Sequence, residues 1–386
     1  MQQRSGSGVV YPHAYVHVPF CARRCSYCDF SIAIRKDVPA DHFVDAIMAE
    51  MVTRGIGLGA AELETVYVGG GTPSKLGGAG LARLIFEIAH LAGVDNFSTS
   101  GGKREITIEA NPEDVTPEAA SLWAASGVNR VSLGVQSFDS RVLEWMHRTH
   151  GPGAAGRAVE TLREAGIDDI SVDLIFALPG TLERDWTADL AAALDLRPTH
   201  ISLYGLTVET HTPLGRWKAR GQVVEAPEDR YADEFLEAHR TLDAAGFEHY
   251  EVSNYSLPGR RAKHNSAYWS GASYLGLGPS AHGFDGRTRR WNAPAYADWS
   301  ARVGRGEDPV EGNELLTADE RESERVYLGL RTSDGLAVHE DELKTVTPWL
   351  EAGWGELKDG VLRLNAHGWL RLDAIAAALT SVRSHS

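Results

Sequence analysis

The chain has 386 residues, enough for one large domain of barrel size and a smaller one, and its 43% hydrophobic and 24% charged residues exclude a disordered or fibrous class. Its 38 Lys and Arg against 53 Asp and Glu give a net charge of −15, so nucleic acid is not expected as a partner. The opening "MQQRSGSGVVYPHAY" lacks the apolar core of a signal peptide, and no apolar run approaches a membrane span. All three cysteines fall within residues 21–28, which points to a metal or catalytic role in a reducing, cytoplasmic compartment rather than to disulfides.

Six β-branched segments are predicted as strands: "AYVHV" (14–18), "TVYVG" (65–69), "EITIEA" (105–110), "RVSLGV" (130–135), "ISVDLIF" (170–176) and "HISLYGL" (200–206). Between them lie helical stretches such as "HFVDAIMAEMVTRG", "GLARLIFEIAHLAG" and "RDWTADLAAALDL", with apolar residues at three- and four-residue spacing. Helices ending in "AASG", "REAG" and "DAAG" place glycine where a left-handed cap turns the chain into the next strand. Six β/α units in series imply an α/β fold on a parallel sheet or barrel, and a partial (β/α)6 barrel is the expectation. After about residue 290, "LTADERESERVYLGLRTSDGL" reads as a helix and "GVLRLNAHGWLRLDAIAAAL" as a β-ribbon leading into a terminal helix. This small winged-helix-like domain shows no basic recognition face, so a lid or docking role is expected over DNA reading. The expected division is a tail at 1–12, a barrel at 13–250, a connecting segment at 251–295 and the C-terminal domain at 296–386.

The unusual residues collect just after the strands, where α/β barrels and open parallel sheets build their sites. They are the cysteines after the first strand, "GGGTP" (69–73) after the second, "EANPED" after the third, "VQSF" after the fourth and "DLIFALPG" at the fifth. For "CARRCSYC" a Cys₃His zinc site with His17 is one reading, but zinc loops more often use two separated pairs. An iron–sulfur cluster held by Cys21, Cys25 and Cys28 suits three thiols on one loop better, and leaves one iron open. "GGGTP" is not a phosphate loop, since no Gly-Lys-Ser/Thr follows.

"CARRCSYC" resembles the CxxxCxxC loop of radical S-adenosylmethionine (SAM) enzymes. The resemblance implies a [4Fe–4S] cluster on the three cysteines, with SAM completing the open iron through its amine and carboxylate. It further implies SAM contacts from Gly70, Gly71 and Thr72 at the methionine end, Glu109 on the ammonium, Arg148 on the carboxylate, and Gln136 and Asp173 on the ribose. Tyr15 and Tyr27 are expected beside the cluster.

From about residue 11 through the C-terminal domain the chain resembles the oxygen-independent coproporphyrinogen III oxidase group, in which two types compete. The HemN type, a radical SAM decarboxylase of porphyrin biosynthesis, carries a fourth cysteine two residues after the last cluster ligand and a longer N-terminal extension. Here Phe30 holds that position and only about a dozen residues precede the first strand. "HNSAYW" (264–269) instead matches the HNxxYW motif of the HemW type, which handles haem. His264, Asn265, Tyr268 and Trp269 are therefore expected at haem, as axial imidazole and aromatic cover, with "GRRAK" meeting the propionates. His282 is the competing axial ligand. The resemblance implies a haem chaperone binding a [4Fe–4S] cluster, SAM and haem, whose partners are haem-accepting apoproteins. A membrane-associated acceptor, a homodimer and enzymatic turnover stay open. An RNA-modifying radical enzyme is the third alternative, disfavoured by the acidic charge and the lack of further cysteines.

Overall fold

The computed structural model describes residues 11–59, 63–99, 104–151 and 153–384. All but the last two residues of the expected N-terminal tail, and most of the stretch read for a signal peptide, lie outside them. All six predicted strands form: β1 (His13–Val18), β2 (Thr65–Gly70), β3 (Glu105–Ala110), β4 (Arg130–Gln136), β5 (Asp169–Phe176) and β6 (His200–Gly205). The helices used below are α1 (Ala40–Thr53), α2 (Gly77–Leu91), α3 (Pro117–Ser126), α4 (Ala154–Glu164), α5 (Trp186–Asp195), α6 (Glu228–Ala244), α7 (Lys263–Trp269), α8 (Tyr296–Gly304), α9 (Ala318–Leu330) and α10 (Leu372–Arg383). Shorter strands follow as β7 (Glu248–Glu251), β8 (Asn254–Ser256), β9 (Tyr274–Leu277), β10 (His282–Phe284), β11 (Thr288–Asn292), β12 (Val310–Leu315), β13 (Leu336–Ala337), β14 (Gly355–Lys358) and β15 (Val361–Leu364). The chain divides into two compact units. The first comprises Met1–Gly134, Gly153–Ile170 and Ser273–Leu315, the second Val135–Pro152, Ser171–Ala272 and Leu316–Ser386.

In the first unit β1, β2, β3 and β4 run parallel, β9 joins β1 in parallel, and β10, β11 and β12 extend that edge as an antiparallel meander. Because side chains alternate along a strand, register sorts them onto two faces. Ala14, Val16, Val18, Val66, Val68, Ile106 and Ile108 make one face, fully buried in the apolar core. His13, Tyr15, His17, Tyr67, Gly69 and Glu109 share the other. α3 begins at the Thr116 hydroxyl, which accepts from Ala119 N, and ends at Gly127 with φ +103°, as the glycine ending predicts.

Glu50, 0% exposed, stitches this unit together. It lies on the apolar stripe of α1 with Phe43, Ile47 and Met51. Its carboxylate accepts from Arg54 Nη1 (2.8 Å), Asn292 Nδ2 (2.7 Å), Gly278 N (2.9 Å) and Trp299 Nε1 (2.9 Å). Four donors replace the water that this buried charge gives up, and they tie α1 to the turn after β9, to β11 and to α8.

In the second unit β5 pairs in parallel with β6, and β8 and β7 continue antiparallel from β6. The C-terminal part has the predicted helix α9, a hairpin of β14 and β15 with β13 on its edge, and the terminal helix α10. Trp369 Nε1 donates to the Leu330 carbonyl (3.0 Å), and Arg383 pairs with Glu322 (2.6 Å) and Glu342 (2.5 Å).

Candidate functional site

In the first unit the cysteine loop leaves the C-terminal end of β1. Phe20–Cys21 and Ala33–Ile34 form a short parallel ladder that closes its base, with Ala33 N donating to Pro19 O (2.7 Å) and Arg35 N to Cys21 O (3.1 Å). His17, buried, donates from Nε2 to the Ser31 carbonyl (3.1 Å) and accepts at Nδ1 from the Tyr15 hydroxyl (3.0 Å). Burial lowers its pKa, keeping the ring neutral. This corrects the zinc alternative, because both ring nitrogens are committed to fixing the loop. Cys21 Sγ lies 3.4 Å from Thr72 Oγ1. Burial, helped by the neighbouring Cys25, Cys21 and Asp29 and opposed by a hydrogen bond from the Phe30 backbone, pushes the Cys28 thiol up to about 11. Among the described residues no three His, Cys, Asp or Glu side chains already stand at ion-holding separations. The donor set is nevertheless three soft thiols on one tethered loop, which fits an iron–sulfur cluster. Phe30 is 57% exposed.

"GGGTP" begins inside β2 and follows the strand end. A Cβ on Gly70, whose φ is +111°, would sit 2.6 Å from the His17 imidazole, and one on Gly71 would sit 2.8 Å from the Pro19 carbonyl. The protein's own packing therefore demands these glycines, a stricter need than the approach of a ligand. Glu109 accepts from Tyr67 Oη (2.8 Å) and from Gly70 N (3.0 Å), and Tyr15 stacks on Tyr67 at 6.1 Å. So Tyr15, Gly70, Gly71, Thr72, Glu109 and the cysteine loop are knit through shared contacts, with Tyr27 half-buried on that loop.

In the second unit Gln136 ends β4 at φ +70°, a left-handed conformation that costs energy for a residue with a Cβ. The segment after it is held by Asp189, which accepts from Phe138 N (2.7 Å) and Ser137 Oγ (2.8 Å). Buried Arg184 donates to the Ile175 carbonyl (2.7 Å) and to Glu234 (2.7 Å), and Glu234 takes Ala177 N (2.7 Å) at another left-handed residue, φ +55°. Burial lowers the Arg184 pKa and raises that of Asp189, the adverse desolvation being offset by these bonds. Sequence reasoning missed this network because its bonded members are up to 57 residues apart. Arg148 is half-buried, and Asp173, on β5, accepts from Ser171 Oγ (3.2 Å).

"HNSAYW" forms most of α7. His264 is 1% exposed, and its Nε2 meets the Tyr268 hydroxyl at 2.9 Å, the ring lying edge-on at 5.0 Å. Asn265, Tyr268 and Trp269 are half-buried. The Arg331 guanidinium covers Trp269 at 4.3 Å, and the buried Trp269 Nε1 has no hydrogen-bond partner among the described residues. In "GRRAK", Arg261 is engaged by Asp334 (3.1 Å) and Glu248 (3.4 Å), so the basic stretch is partly neutralised. In the first unit His282 is exposed on β10 and stacks on Trp291 at 5.8 Å.

A family model described as the radical SAM superfamily matches residues 15–193. The solved coproporphyrinogen III oxidase HemN from Escherichia coli, titled a radical SAM enzyme, superposes with a TM-score of 0.76 at 21% identity, covering 97% of this chain and 91% of that one. These likenesses define the fold as that of a radical SAM protein, a class that implies a [4Fe–4S] cluster and SAM. Among curated relatives, the heme chaperone HemW of Mycobacterium tuberculosis is 40% identical over 326 residues, 83% of this chain and 82% of the relative. That of Lactococcus lactis is 36% identical over 335 residues (86% and 84%), and that of Escherichia coli K12 is 37% identical over 270 (70% and 69%). The chain belongs to the HemW family. No helix among the described residues is long and apolar enough to cross a membrane.

Proposed function

We propose that this chain is a cytoplasmic haem chaperone, which takes up haem and passes it to haem-accepting apoproteins. Cys21, Cys25 and Cys28 hold a [4Fe–4S] cluster in this reading. Tyr15, Tyr27, Gly70, Gly71, Thr72, Glu109, Gln136, Arg148 and Asp173 are the residues assigned to SAM. Bound together, the two groups supply one-electron chemistry. The chain's own part is to tether the cluster loop through His17 and to present Glu109 to an ammonium. His264, Asn265, Tyr268 and Trp269 receive haem.

The observation that carries the haem reading is α7 itself. It is a seven-residue helix with an imidazole, two aromatic rings and a buried indole N–H without an acceptor among the described residues. Its His264 is closed off by Tyr268, so uptake at this ligand requires the hydroxyl to leave the ring. The competing reading is a coproporphyrinogen III oxidase, favoured by the fold alone and disfavoured by Phe30. The test is anaerobic reconstitution followed by haem titration and porphyrinogen turnover in parallel. Stoichiometric haem uptake without decarboxylated product is expected, and robust decarboxylation overturns the reading. His264→Ala is expected to weaken haem binding with the iron–sulfur absorbance intact. The same loss in His282→Ala alone moves the ligand to the first unit.

A further inference from the structure

A line of buried hydrogen bonds inside the second unit joins Asp173 to the N-terminus of α7. Ser171 Oγ lies 3.2 Å from Asp173 Oδ1 and 2.8 Å from His200 Nδ1. His200 Nε2 lies 2.9 Å from the Tyr250 hydroxyl, and Ala262 N donates to that hydroxyl at 3.4 Å. Ala262 is the N-cap of α7 and stands two residues before His264. Ser171, His200 and Tyr250 are all buried, whereas Asp173 is half-buried.

One assignment of protons satisfies every member. Ala262 N–H donates to Tyr250, Tyr250 O–H to His200 Nε2, His200 Nδ1–H to Ser171, and Ser171 O–H to the Asp173 carboxylate. Every donor then points toward one anion, so each bond polarises the next. Ser202 Oγ, 3.2 Å from Ser171 Oγ, offers the serine hydroxyl another acceptor. A ribose hydroxyl donating to Asp173 draws on the same carboxylate charge. Ser171 then turns toward Ser202, and the hold on Ala262, the longest bond of the line, weakens.

We propose that Ser171, His200 and Tyr250 couple the nucleoside at Asp173 to the α7 motif, so that SAM binding frees the helix start and promotes haem uptake. This rests on the functional reading above and adds its regulation. His200 and Tyr250 are positioning residues, acting on α7 through the Ala262 amide. Linkage makes the effect reciprocal, so haem must tighten SAM by the same factor that SAM tightens haem.

The experiment uses the full chain, anaerobically reconstituted with its cluster left oxidised. Haem affinity is read from the Soret band with and without saturating SAM, SAM affinity by equilibrium dialysis with and without haem, and amide exchange at residues 262–264. In the wild type each ligand is expected to tighten the other about tenfold, within the usual range of coupling, and SAM to speed exchange at Ala262. Tyr250→Phe keeps the ring and its contact with Arg261 at 5.5 Å. It is expected to cut both factors to about twofold or less while each ligand alone still binds, with Ala262 exchange fast throughout. Ser171→Ala, at the other end of the line, should do the same. Wild-type protein that binds both ligands independently, or variants with unchanged coupling, overturn this inference and leave the functional reading standing. Wild-type protein that takes up no haem overturns the functional reading, and this inference with it.

Discussion

Acidification should open the second unit through His249, on the strand next to Tyr250. Its ring stacks on Tyr255 (centroids 3.8 Å, 18°), meets Trp369 edge-on at 4.3 Å, donates to Val252 O (3.2 Å) and faces His239 Nδ1 at 3.1 Å. Burial, with His239 beside it, takes its pKa from 6.5 down to about 3 against the upward pull of the bonds to Val252 and Glu251. A histidine depressed on folding takes its proton first in the unfolded chain. Its contribution is therefore whole above pH 6.5 and is lost as pH falls toward 3. The gap between 6.5 and about 3 corresponds to about 5 kcal/mol at most, of which about 2 kcal/mol is gone at pH 5. The assay is urea unfolding of wild type and His249→Phe between pH 7.5 and 5. Phenylalanine keeps the stack and removes the proton site. The variant should be about 1 kcal/mol less stable at pH 7.5, through its lost hydrogen bonds, and should lose about 2 kcal/mol less on going to pH 5. Parallel stability curves for the two proteins would refute the assignment.

Two further outcomes are expected in the first unit. Glu50→Gln places an amide NH₂ among four donors and should cost about 3–5 kcal/mol in urea unfolding; a loss under about 1 kcal/mol would show that the four bonds do not act together. Glu109→Gln should weaken SAM about tenfold or more in equilibrium dialysis, with the iron–sulfur absorbance unchanged, and equal SAM affinity would remove Glu109 from that site.

The six parallel strands were legible because each couples a β-branched run to a glycine or polar stop and an amphipathic helix. β7 to β12 were not. They are three to six residues long, three of them hold a glycine, and "YLGL" and "HGF" carry no alternation strong enough to separate a strand from a turn. The residues after the strands were legible as a candidate site, since unusual side chains at strand ends have few purely structural uses. What supports them was harder to see. Glu50 left one signal, a charge on the stripe of Phe43, Ile47 and Met51 where helix periodicity demands an apolar residue. His17 looked like a metal ligand by spacing, and only the placement of Ser31 and Tyr15 makes it a loop anchor. The link from Asp173 to Ala262 spans 89 positions through residues ordinary in their own segments.

The pairing of β1 with β9 has a consequence for synthesis. β1 carries the cysteine loop and ends at Val18, but β9 and the meander that complete its open edge end only at Leu315. At about 5–20 residues per second the ribosome needs roughly 15–60 s to deliver them. Throughout that interval the thiols hang from an unfinished sheet with an exposed edge, open to oxidation and to pairing with other chains. A chain cut short before Leu315 should therefore leave its cysteine loop on an unfinished sheet, with its thiols more reactive toward alkylating reagents than those of the full chain.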